Sequence, residues 1–252
     1  MKIIDAHMHP FTNISENIKW YNKEENSDFA LVREDMQRCG ITKFCGSVIY
    51  NCGTHKESLI NSNEKALSLY DENSDVYVAG IVIHPDYKNE SCEYIKKAYD
   101  KGLRLIGELT PYIYGWNSYM SAFEIFEYAQ ELGMTVSCHP ASDEDMIAFA
   151  KAFPNMEIVY AHPGEKERLL FYADILNKFD NVYLDISGTG VGRYGAIREL
   201  INKAGKEKIL FGTDYSVCNP AMYVSAVMYE KLTDDERECI LYKNAERVFK
   251  LK

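Results

Sequence analysis

At 252 residues, 46% of them hydrophobic and 26% charged, the chain has the composition of a globular protein with an ample core, which excludes wholesale disorder. A formal charge of −10 repels phosphate backbones and anionic bilayers, which argues against a nucleic-acid or membrane-surface protein. No apolar run follows a basic start, and none approaches the ~18 residues of a spanning helix, so a cytoplasmic protein is expected. Seven cysteines, odd in number and without CxxC spacing, read as free thiols in a reducing compartment.

Eight short apolar runs follow in chain order: residues 2–7, 43–50, 76–83, 102–109, 134–139, 157–162, 181–187 and 208–215. All are rich in Val, Ile, Leu, Tyr and Phe, the composition of buried strands. Between them lie segments whose apolar residues recur at three and four, such as FALVREDMQRC, YMSAFEIFEYAQEL and EKERLLFYADILNKF, and these are read as helices. Boundary signals agree. Asn219-Pro220 sets a capping side chain before a first-turn proline, and Thr233 to Glu236 reads as a capping box. Gly40, Gly102 and Gly133 fall where helices should stop. Alternating strands and helices with right-handed crossovers close most simply as one (β/α)8 TIM barrel over residues 1–252. An open doubly wound sheet would carry a glycine-rich loop after its first strand, and HMHPFTN is not one.

In such a barrel the chemistry sits at the carboxyl ends of the strands. The polar residues collect there: His7 and His9 on the first strand, His84 on the third, Glu108 on the fourth, His139 on the fifth, His162 on the sixth and Asp214 on the eighth. Five of the six histidines thus share one rim, which scatter for packing reasons would not produce. Residues two apart face the same side of a strand, so His7 and His9 can share one ion. Imidazole and carboxylate at a site open to solvent suit Zn2+, with Mn2+ or Fe2+ as alternatives.

Five stretches together carry a resemblance: DAHMHP (Asp5 to Pro10), CHP (Cys138 to Pro140), AHPG (Ala161 to Gly164), FGTDYS (Phe211 to Ser216) and NAERVF (Asn244 to Phe249). In this order they resemble the amidohydrolase superfamily, in particular its amidohydrolase-2 branch of metal-dependent TIM barrels. The resemblance implies His7, His9, His139 and Asp214 as metal ligands and His162 as a catalytic or substrate-polarising histidine. Glu108 stands where binuclear members often carry a carboxylated lysine, and it is similar to the bridging glutamate of the TatD-like branch. It is thus a further ligand or catalytic carboxylate, for one ion or two.

Around this rim, Arg193 in the glycine-rich loop 187–195 suggests an anion site, and Tyr112, Trp116 and His84 are candidate pocket walls. Strand parity suggests a buried Asp5 to Arg104 ion pair and places Asp185 where it could orient a ligand histidine. The expected function is that of a metal-dependent hydrolase that activates water to cleave an amide, ester or lactone bond of a small, carboxylated or cyclic substrate. Asp214 is the expected base, and His162 the donor to the carbonyl oxygen. The alternatives are a non-oxidative decarboxylase on the same metal site, a TatD- or PHP-like phosphoesterase, and a non-catalytic metal-binding barrel. The chain's shortness is read as favouring hydrolysis, because decarboxylases of this branch usually carry larger pocket-covering insertions. A small-molecule substrate is the expected partner, and a homodimer is an option because such barrels often pair.

Overall fold

Eight parallel strands succeed one another in the sheet in chain order, in a computed structural model that describes residues 1–13, 28–51 and 53–251. They are β1 (Ile4–Asp5), β2 (Lys43–Ser47), β3 (Tyr77–Ile81), β4 (Leu105–Leu109), β5 (Thr135–Cys138), β6 (Ile158–Tyr160), β7 (Val182–Asp185) and β8 (Ile209–Leu210). Each lies inside one of the eight apolar runs. Helices α1 (Phe29–Arg38), α2 (His55–Asn73), α3 (Lys88–Asp100), α4 (Phe123–Glu131), α5 (Asp143–Ala152), α6 (Lys166–Lys178) and α7 (Ala196–Ala204) alternate with the strands. After β8 come α8 (Pro220–Tyr229), α9 (Asp234–Glu238) and α10 (Asn244–Val248).

The sheet closes where β8 meets β1. Ala6 N donates to Phe211 O at 2.8 Å, Asp214 N to His7 O at 2.8 Å and His9 N to Tyr215 O at 2.5 Å, and Met8 pairs with Tyr215. The closed sheet is a single (β/α)8 barrel, and closure leaves no strand edge open. All the strand residues are buried except Lys43, because helices cover the outer face and side chains fill the interior.

Asp5 secures the closure and corrects one expectation. Its carboxylate accepts from His7 N (3.0 Å), Thr213 N (3.0 Å) and Thr213 Oγ1 (2.5 Å), so it ties β1 to the segment after β8. Burial pushes its pKa up to about 7 against the lowering effect of those donors. The predicted partner, Arg104, turns away from the barrel floor. It donates to Tyr99 O and Leu103 O and stacks 4.1 Å over the Tyr99 ring. Three donors, from His7 and Thr213, already satisfy Asp5, so no guanidinium is needed.

The boundary signals act as chemistry dictates. Asn219 accepts from Ala221 N at 3.0 Å with Pro220 in the first turn, and Thr233 with Glu236 forms a reciprocal capping box. Gly40, Gly102 and Gly133 all adopt positive φ just past helix ends. The segment read as one helix from Tyr119 opens with a 3-10 turn (Tyr119–Ala122) before α4. There Asp145 holds the turn by accepting from Tyr119 N at 2.8 Å and from Ser118 Oγ at 2.5 Å. The six described cysteines are free thiols, and Cys52 lies outside the described residues.

Candidate metal centre

The strand ends deliver their polar side chains to one point above the barrel. His7 Nε2 and His9 Nε2 lie 3.3 Å apart, and each is 3.2 Å from Glu108 Oε2. Asp214 Oδ1 stands 3.8 Å from the first nitrogen and 3.6 Å from the second. The other oxygen of Glu108 faces a second group: Oε1 is 3.1 Å from His139 Nδ1 and 3.6 Å from His162 Nε2. Glu108 therefore stands between two sets of nitrogen donors. His139 falls in the second set, not beside His7 and His9 as the four-ligand expectation required.

Local backbone produces this convergence. The β4–β5 register shifts between Ile106 and Leu109, a bulge that surrounds Glu108 and re-aims its side chain. His162 and Asp214 have φ of 63° and 58°, left-handed values that an L residue adopts at some cost. Both lie just past their strands, where the chain turns at the rim, and such strain gathers at functional sites.

Hydrogen bonds behind the rings fix which nitrogens carry protons. Among the described residues the acceptor that His9 Nδ1 meets is the carbonyl of Ser47 at 3.0 Å, so Nδ1 donates and Nε2 presents a lone pair. His7 Nδ1 lies 2.9 Å from Asp185 Oδ2, an ionised carboxylate that can only accept, so here too Nδ1 donates and Nε2 presents a lone pair. Two imidazole lone pairs and a carboxylate oxygen thus meet within 3.3 Å, an arrangement that repels itself unless a cation sits among them. A proton is one such cation: burial opposes charge on His7, but Glu108 and Asp185 outweigh it and hold the ring well above its ordinary pKa. A divalent ion answers the same demand with all three donors at once, so the residues fit the metal that the resemblance implies.

The remaining groups are set by burial and by these charges. Burial opposes ionisation of Glu108, yet His7 and the hydrogen bonds from the histidines hold its carboxyl well below the usual range. Burial raises Asp214 and lowers His162. Asp214 is the carboxyl on the open side: its side chain is 12% exposed, against 3% for Glu108 and 0% for Asp185.

The predicted pocket walls divide. Tyr112 is exposed, its ring 4.9 Å from that of His139, so it stands at the rim. Trp116 is buried edge-on against Tyr119, as packing and not as pocket wall. His84 spends both ring nitrogens on backbone, with Nε2 at 2.8 Å from Tyr114 O and Nδ1 accepting from Asp86 N at 3.1 Å. It anchors the loop after β4 and has no free nitrogen for substrate. Arg193 points outward, 73% exposed, and forks onto Glu165 at 3.0 and 3.1 Å. A carboxylate of the chain already satisfies that guanidinium. Ser187 was not among the candidates, although it packs against His7 and His162.

A family model described as amidohydrolase matches residues 4–251. No curated protein matches the chain. Among solved structures, 5-carboxyvanillate decarboxylase LigW from Sphingomonas paucimobilis is similar at 14% identity with a TM-score of 0.72, over 100% of this chain and 99% of that one. A dihydroxybenzoic acid decarboxylase from a Polaromonas species, with bound manganese and the inhibitor 2-nitroresorcinol, gives 14% identity and a TM-score of 0.71 over 99% and 96% of the two chains. An uncharacterized TIM-barrel protein from Bordetella bronchiseptica gives 18% identity and a TM-score of 0.75 over 100% and 99%. With the family match spanning nearly every residue of a closed (β/α)8 barrel, the chain belongs to the amidohydrolase-2 family of metal-dependent enzymes.

Proposed function

We propose that this protein is a divalent-metal-dependent, non-oxidative decarboxylase of a small arene or enol carboxylate that bears an oxygen beside the carboxyl group. This departs from the hydrolase expected from the sequence. The argument from shortness loses its force, because the likeness to LigW spans 99% of that chain. What carries the proposal is this end-to-end likeness to decarboxylases, joined to a cluster whose one open carboxyl, Asp214, stands beside the His7 and His9 nitrogens.

His7, His9, Asp214 and Glu108 would hold the ion, with His139 on the far oxygen of Glu108. When bound, the ion supplies positive charge that draws the substrate carboxylate and its neighbouring oxygen to the mouth and offsets charge that develops there. Asp214 delivers a proton to the carbon that bears the carboxylate, the C–C bond breaks, and its electron pair returns to the ring as CO2 leaves. Solvent at the open side reprotonates Asp214. His162, half-buried across the mouth, handles the proton of the neighbouring hydroxyl. The manganese bound in the similar Polaromonas enzyme supports manganese as the ion here.

A second reading, hydrolysis of an ester, lactone or amide, is favoured by one observation: Glu108 faces donors with both of its oxygens, as a carboxylate shared by two ions would. One experiment separates the two. The protein, loaded with Mn2+ or Zn2+ and assayed for metal content, is offered hydroxybenzoates and simple esters, lactones and amides. CO2 release with one ion per chain supports decarboxylation. Hydrolysis with two ions per chain overturns it.

A further inference from the structure

Behind the rim, at the end of β7, lies a serine that the ligand set does not explain. Ser187 is fully buried, and its hydroxyl donates to Asp185 Oδ1 in a short hydrogen bond. That spends its only proton, so every other contact of Oγ is one in which the oxygen accepts. Two ring nitrogens approach it, His7 Nδ1 at 2.9 Å and His162 Nδ1 at 3.1 Å. The His7 Nδ1 proton is already directed at Asp185 Oδ2 and is shared between that carboxylate and Oγ, and His162 carries its proton on Nδ1 to donate to Oγ. For His7 that is the ligand form. For His162 it leaves a bare Nε2 facing the mouth, 3.6 Å from Glu108 Oε1.

The backbone is shaped for this contact. His162 takes a φ of 63°, and Gly188, next to the serine, has no side chain where a Cβ would lie 2.2 Å from His162 Nδ1. Any other residue at 188 would push the imidazole off the hydroxyl.

We propose that Ser187 is a positioning residue that locks His162 in the Nδ1–H tautomer, so that Nε2 enters the reaction as a proton acceptor. The inference rests on reading this rim as a catalytic site and holds for either reaction above. A substrate hydroxyl, or the attacking water of a hydrolase, gives its proton to Nε2: the O–H bond breaks, the N–H bond forms, and the electron pair stays on oxygen. The resulting imidazolium is steadied through Ser187 by the Asp185 carboxylate one hydrogen bond further on. This revises the expectation that His162 donates to a carbonyl, since the neutral ring has no proton on that nitrogen.

The test reads the tautomer directly. Protein labelled with 15N-histidine and loaded with diamagnetic Zn2+ is studied by two-bond proton–nitrogen correlation, with His162→Gln identifying the resonance. The expected result is Nδ1–H in the native protein and a shift toward Nε2–H in Ser187→Ala. In parallel kcat per bound ion falls on the order of ten-fold or more with KM unchanged, counted per ion because Ser187 also touches the ligand ring of His7, and Ser187→Thr restores both readouts. Nε2–H in the native protein, or an unmoved tautomer in Ser187→Ala, overturns the inference. The native spectrum decides even if the alanine variant does not fold. No substrate is needed for the spectrum, so failure of the decarboxylase reading leaves this result standing or falling by itself.

Discussion

Asp214 concentrates the demands that the site makes on one residue. It follows β8 in a left-handed conformation, its Oδ1 faces His7 and His9, and its Oδ2 accepts a weak bond from the Cys218 thiol at 3.9 Å. Asparagine tolerates the same backbone and keeps one oxygen for the ion, but it cannot hold and deliver a proton. Asp214→Asn is thus expected to retain metal by elemental analysis and to lose turnover by about 100-fold or more. Wild-type turnover in that variant would remove Asp214 from the chemistry. His84 and Arg193 show why residue type alone does not assign a role. Both belong to types that bind substrate, yet each has its polar atoms spent on the chain, His84 on loop backbone and Arg193 on Glu165.

Elements were legible wherever a local rule sets them. The capping box that opens α9 is one example, and it makes a pH prediction. Glu236 accepts from the Arg198 guanidinium at 2.7 and 2.9 Å and from Thr233 N at 2.7 Å, and these bonds draw its pKa down to about 2. A carboxylate whose folded pKa lies below its unfolded value of about 4.5 stabilises the fold above that value, and the contribution fades as pH falls toward 2. Unfolding by urea, followed from pH 6 to pH 3, should show the native protein more stable than Glu236→Gln at pH 6, with the gap narrowing as pH falls. A gap that stays constant would mean that the charge of Glu236 does not matter. Strand ends were less legible than strands. Every observed strand is shorter than its apolar run, and in all but β4 the last residues of the run leave the regular ladder near the mouth. The bulge around Glu108 is a case that no period-two pattern signals.

At the scale of the whole molecule, the site is also a fastening. His7 and His9 follow β1, Glu108 lies on β4, and Asp214 follows β8, so one ion would join three parts of the barrel across its closure. Binding to the folded state alone adds about 2.7 kcal/mol at a hundred-fold excess of ion over Kd. For a chain of this size, that corresponds to a Tm roughly 5 to 10 °C higher. Chelation should lower Tm by this amount and Mn2+ or Zn2+ should restore it, while a His7→Ala/His9→Ala double variant should respond to neither. An equal response in the double variant would place the stabilising ion elsewhere.

The sequence by itself determined the number and order of the strands, the helix caps, the family, and the rim on which the histidines and Asp214 gather. These follow from hydrophobic period, from capping chemistry and from strand parity, all of which act over a few residues. Tertiary structure alone decided the partners. It set Asp5 on Thr213 and not on Arg104, placed Glu108 between two groups of histidines, and joined Asp185 and Ser187 to His7 and His162. A hydrogen bond across the barrel depends on angstrom-scale register and loop path among residues from 25 to 208 positions apart, and no local pattern encodes that distance.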